Sequence, residues 1–184
     1  MAEENFLAGA AMADITPGGQ LVNYNGDPLE RGVDNSDLLC HALYLAKGRS
    51  ETAVVACDAT FIDRPLVLRI RDECQRRAGI PASNVWATAT HTHSAPATAV
   101  SFLAGAIPDP LYLDSFIDRV VDSIIDAKRN TKPAVTVAGR AEAPGFELNR
   151  RTVRPDGGIM FQGGGHLVVI VVSSFVTERL FPRR

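Results

Sequence analysis

A surplus of charge of either sign is missing from this 184-residue sequence: 19 Lys and Arg stand against 21 Asp and Glu, a formal net charge of −2. Without a basic surplus, nothing in it suits a general binder of nucleic acid or of anionic membrane surfaces. Cysteine is scarce too. Cys40, Cys57 and Cys74 are odd in number and form no C-x-x-C pair, which removes the usual signature of a zinc knuckle or a redox motif. They are expected to be buried free thiols, since unpaired Cys behaves as a small hydrophobe. Long hydrophobic runs are absent as well: the longest, residues 167–172, is far short of the ~20 residues that span a bilayer as a helix. The opening residues Met1-Ala2-Glu3-Glu4-Asn5 carry neither the basic n-region nor the apolar h-region of a secretory signal. The chain as written is therefore expected to have no transmembrane segment and no export tag: either it is cytoplasmic or its leader is missing.

What is there is ordinary globular composition, 46% hydrophobic and 22% charged, which leaves collagen-like, disordered and coiled-coil readings without support. The length fits one domain with an appendage. Residues 7–15 read as a strand ended by the turn residues Thr16-Pro17-Gly18-Gly19. Residues 23–37, rich in Asn, Asp and Gly, read as a long ordered loop. Residues 38–46 and 52–57 predict two adjacent buried strands. The period then changes. Leu66, Ile70 and Cys74 recur between charges over residues 64–77, and Gly79-Ile80-Pro81 stops an amphipathic helix. Residues 84–90 predict a short strand, and Phe116, Ile117, Val120, Val121, Ile124 and Ile125 mark one face of a second helix over 114–128. Alternation predicts a strand over 133–141, and Gly157-Gly158 opens another at 159–162. Strands alternating with two helices indicate a mixed α/β fold, a sheet with covering helices. After Gln162 the texture changes to Gly163-Gly164-Gly165 and an apolar tail, which must pair inside a sheet or stand as an aggregation-prone edge.

The strongest chemical signal is Thr90-His91-Thr92-His93-Ser94, just after a predicted strand. In extended chain, side chains at i and i+2 share a face, so His91 and His93 could serve one metal or acid–base site. They could equally be polar loop residues bonded to backbone. The metallo-β-lactamase pattern requires Asp two residues after the second His, where Ala95 stands, and a (β/α)₈ amidohydrolase barrel typically needs ~250 residues. Asp58, at a strand end, suits either a functional role or a cap. Asp14 is expected to organise a turn through its side chain, and His41 to be a satisfied sheet or core histidine.

Ala13-Asp14-Ile15-Thr16-Pro17, Val54-Val55-Ala56-Cys57-Asp58, Gly79-Ile80-Pro81 before Asn84-Val85, Thr88-Ala89-Thr90-His91-Thr92-His93-Ser94-Ala95-Pro96 and Asn149-Arg150 follow one another in this order. Together they resemble the N-terminal part of the catalytic domain of the neutral/alkaline non-lysosomal ceramidases. The resemblance runs over residues 8–162, so residues 1–162 are expected to form a partial ceramidase-like domain and 163–184 a divergent apolar tail. It implies a zinc-dependent amide hydrolase that cleaves the N-acyl bond of ceramide to give sphingosine and a fatty acid, with ceramide or another lipid-like N-acyl compound as its small-molecule partner. It implies that His91 is a zinc ligand, that His93 lies beside the metal and handles a proton or the substrate, and that Arg150 steadies the substrate or its developing oxyanion. Asn23, Tyr24 and Asn25 fall in the loop where the family carries substrate-facing residues.

The sequence also departs from that pattern. Arg151-Thr152 follows Asn149-Arg150 where the family typically has Ser-Pro, and Ala97-Thr98 stands where it tends to be glycine-rich. The family's further zinc ligands, a His, a Glu and a Tyr, fall beyond the end of this chain, and His166 sits in the unlike tail. The expectation is an incomplete zinc site. The alternatives are a non-catalytic module or a hydrolase of another N-acyl or ester substrate.

Overall fold

The structure is a computed structural model and describes residues 6–19, 21–29, 37–100, 105–141, 151–153 and 155–161. The chain divides into two compact units, Met1–Val135 and Thr136–Arg184. The first unit is a five-stranded sheet covered by helices. Strands β1 (Phe6–Asp14), β2 (Leu39–Lys47) and β3 (Ser50–Cys57) run antiparallel in sequence order, and β4 (Val85–Ala89) joins β3 in parallel. The two-residue β5 (Lys132–Pro133) pairs with the far side of β1, giving the order β4-β3-β2-β1-β5.

Helix α1 (Arg64–Ala78) makes the crossover between the parallel strands β3 and β4. The Asp63 side chain accepts the Leu66 N–H at its start, Pro65 sits in the first turn, and Gly79 ends it in the left-handed conformation at φ 67°. These are the residues that helix ends favour. Helix α2 (Pro110–Arg129) starts in the same way, with Asp109 accepting the Tyr112 N–H ahead of Pro110. It thus begins four residues before the point where its apolar period becomes legible. Its buried stripe of Phe116, Val120, Ile124 and Ala127 meets Ile70 and Cys74 of α1 and Val55 and Cys57 of β3 in one core. The helices are also laced at the surface by Arg69–Asp114 and by Arg77 with Asp118 and Asp122; exposed pairs of this kind add little stability.

Both strands of the predicted apolar pair and both helices are present, α2 with its earlier start, and one predicted strand needs correction. Of the strand predicted over 133–141, only Lys132 and Pro133 pair, and Ala134 adds one bond to the Phe6 carbonyl. Residues 134–141 are in no strand, and Val135 and Val137 are 82% and 64% exposed. Alternation marks what a strand would look like, but a strand exists only where a partner satisfies its N–H and C=O groups. The three cysteines are free and buried, as expected, and His41 lies exposed on the sheet. No helix among the described residues is long and apolar enough to cross a membrane.

The second unit shows a hairpin of β6 (Arg151–Val153) and β7 (Ile159–Phe161), with Gly157 at φ 79° in the turn. The sequence anticipates β7 but not β6. Arg150, His166 and the tail 163–184 lie outside the described residues.

Candidate active site

The site grows from the C-terminal ends of the two parallel strands, the edge at which α/β sheets bind ligands. Beyond Cys57 the chain continues through Asp58-Ala59-Thr60-Phe61, and beyond Ala89 through Thr90-His91-Thr92-His93. The two segments are stitched together: Thr90 N–H donates to the Cys57 carbonyl at 2.9 Å and His91 N–H to the Ala59 carbonyl at 3.0 Å. The buried Thr60 hydroxyl donates to the Thr92 carbonyl at 2.7 Å. Asp58 fastens the base of the arrangement. Its carboxylate accepts the Leu39 N–H at 3.0 Å and the Thr90 hydroxyl at 3.1 Å, while its own N–H donates to the Leu39 carbonyl. Asp58 therefore acts as a clamp between β2, β3 and the histidine segment.

His91 and His93 do come together, but not by the geometry the sequence suggests. The segment is no extended strand: His91 has φ 67°, the one positive-φ residue that is not glycine among the described residues. This left-handed turn lets the rings meet edge to face at 4.9 Å, with the Nε2 atoms 3.5 Å apart. His91 Nδ1 lies 2.8 Å from the Thr60 carbonyl oxygen. A carbonyl only accepts, so Nδ1 carries the proton and Nε2 presents a lone pair. Tyr24 Oη lies 3.2 Å from His93 Nδ1. If the tyrosine donates, His93 holds its proton on Nε2, directed at the His91 lone pair. The chain Tyr24–His93–His91–Thr60 then has one donor and one acceptor at every contact. Phe61 packs edge-on to His91 at 5.1 Å and to Tyr24 at 5.8 Å, so four rings form one cluster, with Tyr24 half-buried and the other three exposed.

The donor set fits zinc as far as it goes. His91 Nε2 carries a lone pair and suits zinc as a single nitrogen ligand, whereas His93 Nε2, 3.5 Å away, holds a proton in this arrangement and would ligate only after losing it. A backbone carbonyl on the far nitrogen is the usual outer support of a ligating histidine. Among the described residues, however, no group of three or more His, Cys, Asp or Glu could hold a metal together.

Around the ring cluster the loops are anchored. Ala97 N–H donates to the Val22 carbonyl at 2.9 Å, and Val22 bridges to Pro28 to close the turn that carries Tyr24. Asn23 organises that turn, its side-chain oxygen accepting the Asn25 and Asp27 N–H groups. Leu21, Val22, Pro96, Ala97, Ile107, Pro108 and Pro110, together with Asp109, line a groove of mixed polarity that begins three residues past His93. Asp14 does what its turn sequence implies: its carboxylate accepts the Thr16 N–H at 2.7 Å, and Thr16 holds it below the usual aspartate range. Thr60 and Phe61 gave no sign in the sequence, because they contribute a carbonyl oxygen and a ring face, which no motif marks.

Neither a family model nor a curated protein sequence matches the chain. Solved structures do. The neutral ceramidase from Pseudomonas aeruginosa superposes with a TM-score of 0.58 and 23% identity, over 71% of this chain and 22% of that one. A ceramidase complexed with C2 gives a TM-score of 0.56 and 22% identity over the same shares. The chain thus corresponds to about a fifth of the length of the structures it matches. The mixed α/β architecture of the described residues is a fold found in neutral ceramidase.

Proposed function

We propose that this chain carries the first metal ligand and the proton-handling histidine of a zinc-dependent amide hydrolase of the ceramidase type. The observation that supports it most is the His91 ring. Its Nδ1 is committed to the Thr60 carbonyl, so the unprotonated Nε2, which faces His93 Nε2 in the structure, is the atom that would turn to a metal at the ligand-binding edge of the sheet. His91 would hold zinc, which when bound polarises an amide carbonyl and acidifies water. His93, with its Nε2 proton sustained by Tyr24, would hand that proton to a departing amine. Arg150 is proposed, from the resemblance alone, to steady the negative charge on the substrate oxygen. The groove of Leu21, Val22, Pro96 and Ala97 suits the apolar part of a lipid-like N-acyl compound such as ceramide.

A second reading follows from the ligand count. Catalytic zinc needs three protein ligands and an open position, and the described residues supply no such group. By itself the chain would then be a binding module whose site closes only with further ligands. The test is zinc titration of the wild-type chain and of His91→Ala, together with fatty-acid release from a short-chain N-acylsphingosine. Weak zinc binding lost in His91→Ala, with release at the background rate, supports an incomplete ceramidase-type site. Zinc binding that is unchanged by His91→Ala overturns the ligand assignment. Zinc-dependent turnover abolished by that substitution overturns the incompleteness.

A further inference from the structure

A second reactive pair lies one layer beneath the histidines. Cys40 on β2 and Cys57 on β3 are directly opposite each other in the ladder, and both are fully buried. Cross-strand partners in an antiparallel pair alternate between two kinds, and the kind decides whether two sulfurs can join. The parity can be read from both ends of the hairpin. Lys47 and Ser50 close the tight turn at Gly48-Arg49, where a two-residue loop makes the closing pair a hydrogen-bonded one. Stepping alternately down the register from there makes Cys40 and Cys57 a pair without mutual backbone bonds. At the other end, Asp58 N–H donates to the Leu39 carbonyl, so the next pair outward is a bonded one, in agreement. Pairs of the unbonded kind hold their Cα atoms ~4.5 Å apart with side chains close, within the ~4.4–6.8 Å that a disulfide requires.

We infer that Cys40 and Cys57 form a site of reversible oxidation, joined as a disulfide across β2 and β3 by a small peroxide oxidant. The neighbouring Cys57 thiol holds the Cys40 thiol below the usual cysteine range, while Cys40 and burial hold Cys57 above it; with Ser123 Oγ 3.5 Å from its sulfur, Cys40 is taken as the attacking sulfur. In the first step the Cys40 thiolate attacks hydrogen peroxide, the O–O bond breaks, and a sulfenic acid and hydroxide result. In the second, the Cys57 sulfur attacks the Cys40 sulfur, the S–O bond breaks, and the leaving hydroxide takes up the Cys57 proton. Two thiols and one peroxide thus give one disulfide and two waters. Cys74 is set apart on α1, where burial raises its thiol to about 11, and stays reduced. Because both sulfurs lie under α2, with Cys40 Sγ 3.5 Å from Ser123 Oγ, oxidation is expected to be slow and to quicken in low denaturant.

The position has a bearing on the site above. The Cys57 carbonyl accepts the Thr90 N–H, and Leu39 and Asp58, the next residues outward, form the clamp under the histidine segment. The experiment treats the full native chain with hydrogen peroxide, unfolds it, alkylates all remaining thiols and maps them by mass spectrometry. The expected result is loss of two of the three thiols, a Cys40–Cys57 linked peptide and recovery of all three thiols with dithiothreitol. Three alkylated cysteines at every time point, sulfinic acid at Cys40 without a link, or a link that involves Cys74 would each overturn the inference. Cys57→Ala serves as a second variant: it should yield sulfenic acid at Cys40 and no intramolecular link.

Discussion

Gly9 of β1 faces the Ala127 carbonyl oxygen of α2 so closely that a Cβ at position 9 would lie 2.1 Å from it and 2.9 Å from the Thr131 nitrogen. Both neighbours are backbone, so neither can swing aside. Gly9→Ala is expected to destabilise the first unit by about 3 kcal/mol or more, as overpacking against a fixed wall does. Urea unfolding followed by circular dichroism measures it. A change under ~0.5 kcal/mol, the range of a neutral surface substitution, would mean that α2 can lift away from β1.

Tyr24→Phe removes the hydroxyl that lies 3.2 Å from His93 Nδ1 and leaves the ring that packs on it at 4.7 Å. Tyr24 bonds His93 and not the proposed ligand His91, so Tyr24→Phe is expected to leave zinc affinity unchanged and to shift the His93 proton from Nε2 towards Nδ1, read from the ring ¹⁵N chemical shifts. An unchanged His93 tautomer in Tyr24→Phe would detach the tyrosine from the site.

Asp58→Ala strips acceptors from both the Leu39 N–H and the Thr90 hydroxyl. Leaving such groups unpaired costs about 1–3 kcal/mol in total at a part-buried site. Asp58→Asn keeps one acceptor oxygen and should lose about half as much. If Asp58→Ala instead keeps full stability but loses zinc binding, Asp58 belongs to the metal site and not to the clamp.

Acid should weaken the fold through Glu51. Burial pushes its carboxyl up, but Lys128 at 2.8 Å and the Tyr44 hydroxyl outweigh that and hold it below the usual glutamate range. A carboxyl lowered by folding stabilises the native state fully above its unfolded value near 4.3 and loses that contribution as pH falls through the lower folded value. The urea midpoint of the wild-type chain should fall across that window, and Glu51→Gln should flatten the decline. An identical acid slope in the two proteins would remove Glu51 from the account.

Much of this arrangement is legible in the sequence, and the failures have particular causes. Leu66, Ile70 and Cys74 announce α1 because a helix facing a core must repeat its apolar residues near every fourth position. The first turn of α2 escapes that test, since Leu111 points to solvent; Asp109-Pro110, a cap followed by a proline, was the signal to use. His91 and His93 were legible as a pair, yet the turn that joins them was not, because no pattern announces a histidine at positive φ. Thr60 meets the His91 ring through its main-chain carbonyl, which every residue type possesses.

The left-handed backbone at His91 also says something about inheritance. A side chain there costs about 1–2 kcal/mol that glycine would not incur, so substitution to glycine would make the loop more comfortable and chemically blank. A lineage released from using the ring should drift in that direction, and one that still uses it should resist. Orthologous sequences should therefore fall into two groups, those that keep His91 and His93 together and those in which position 91 has relaxed to Gly or Asn and His93 varies freely.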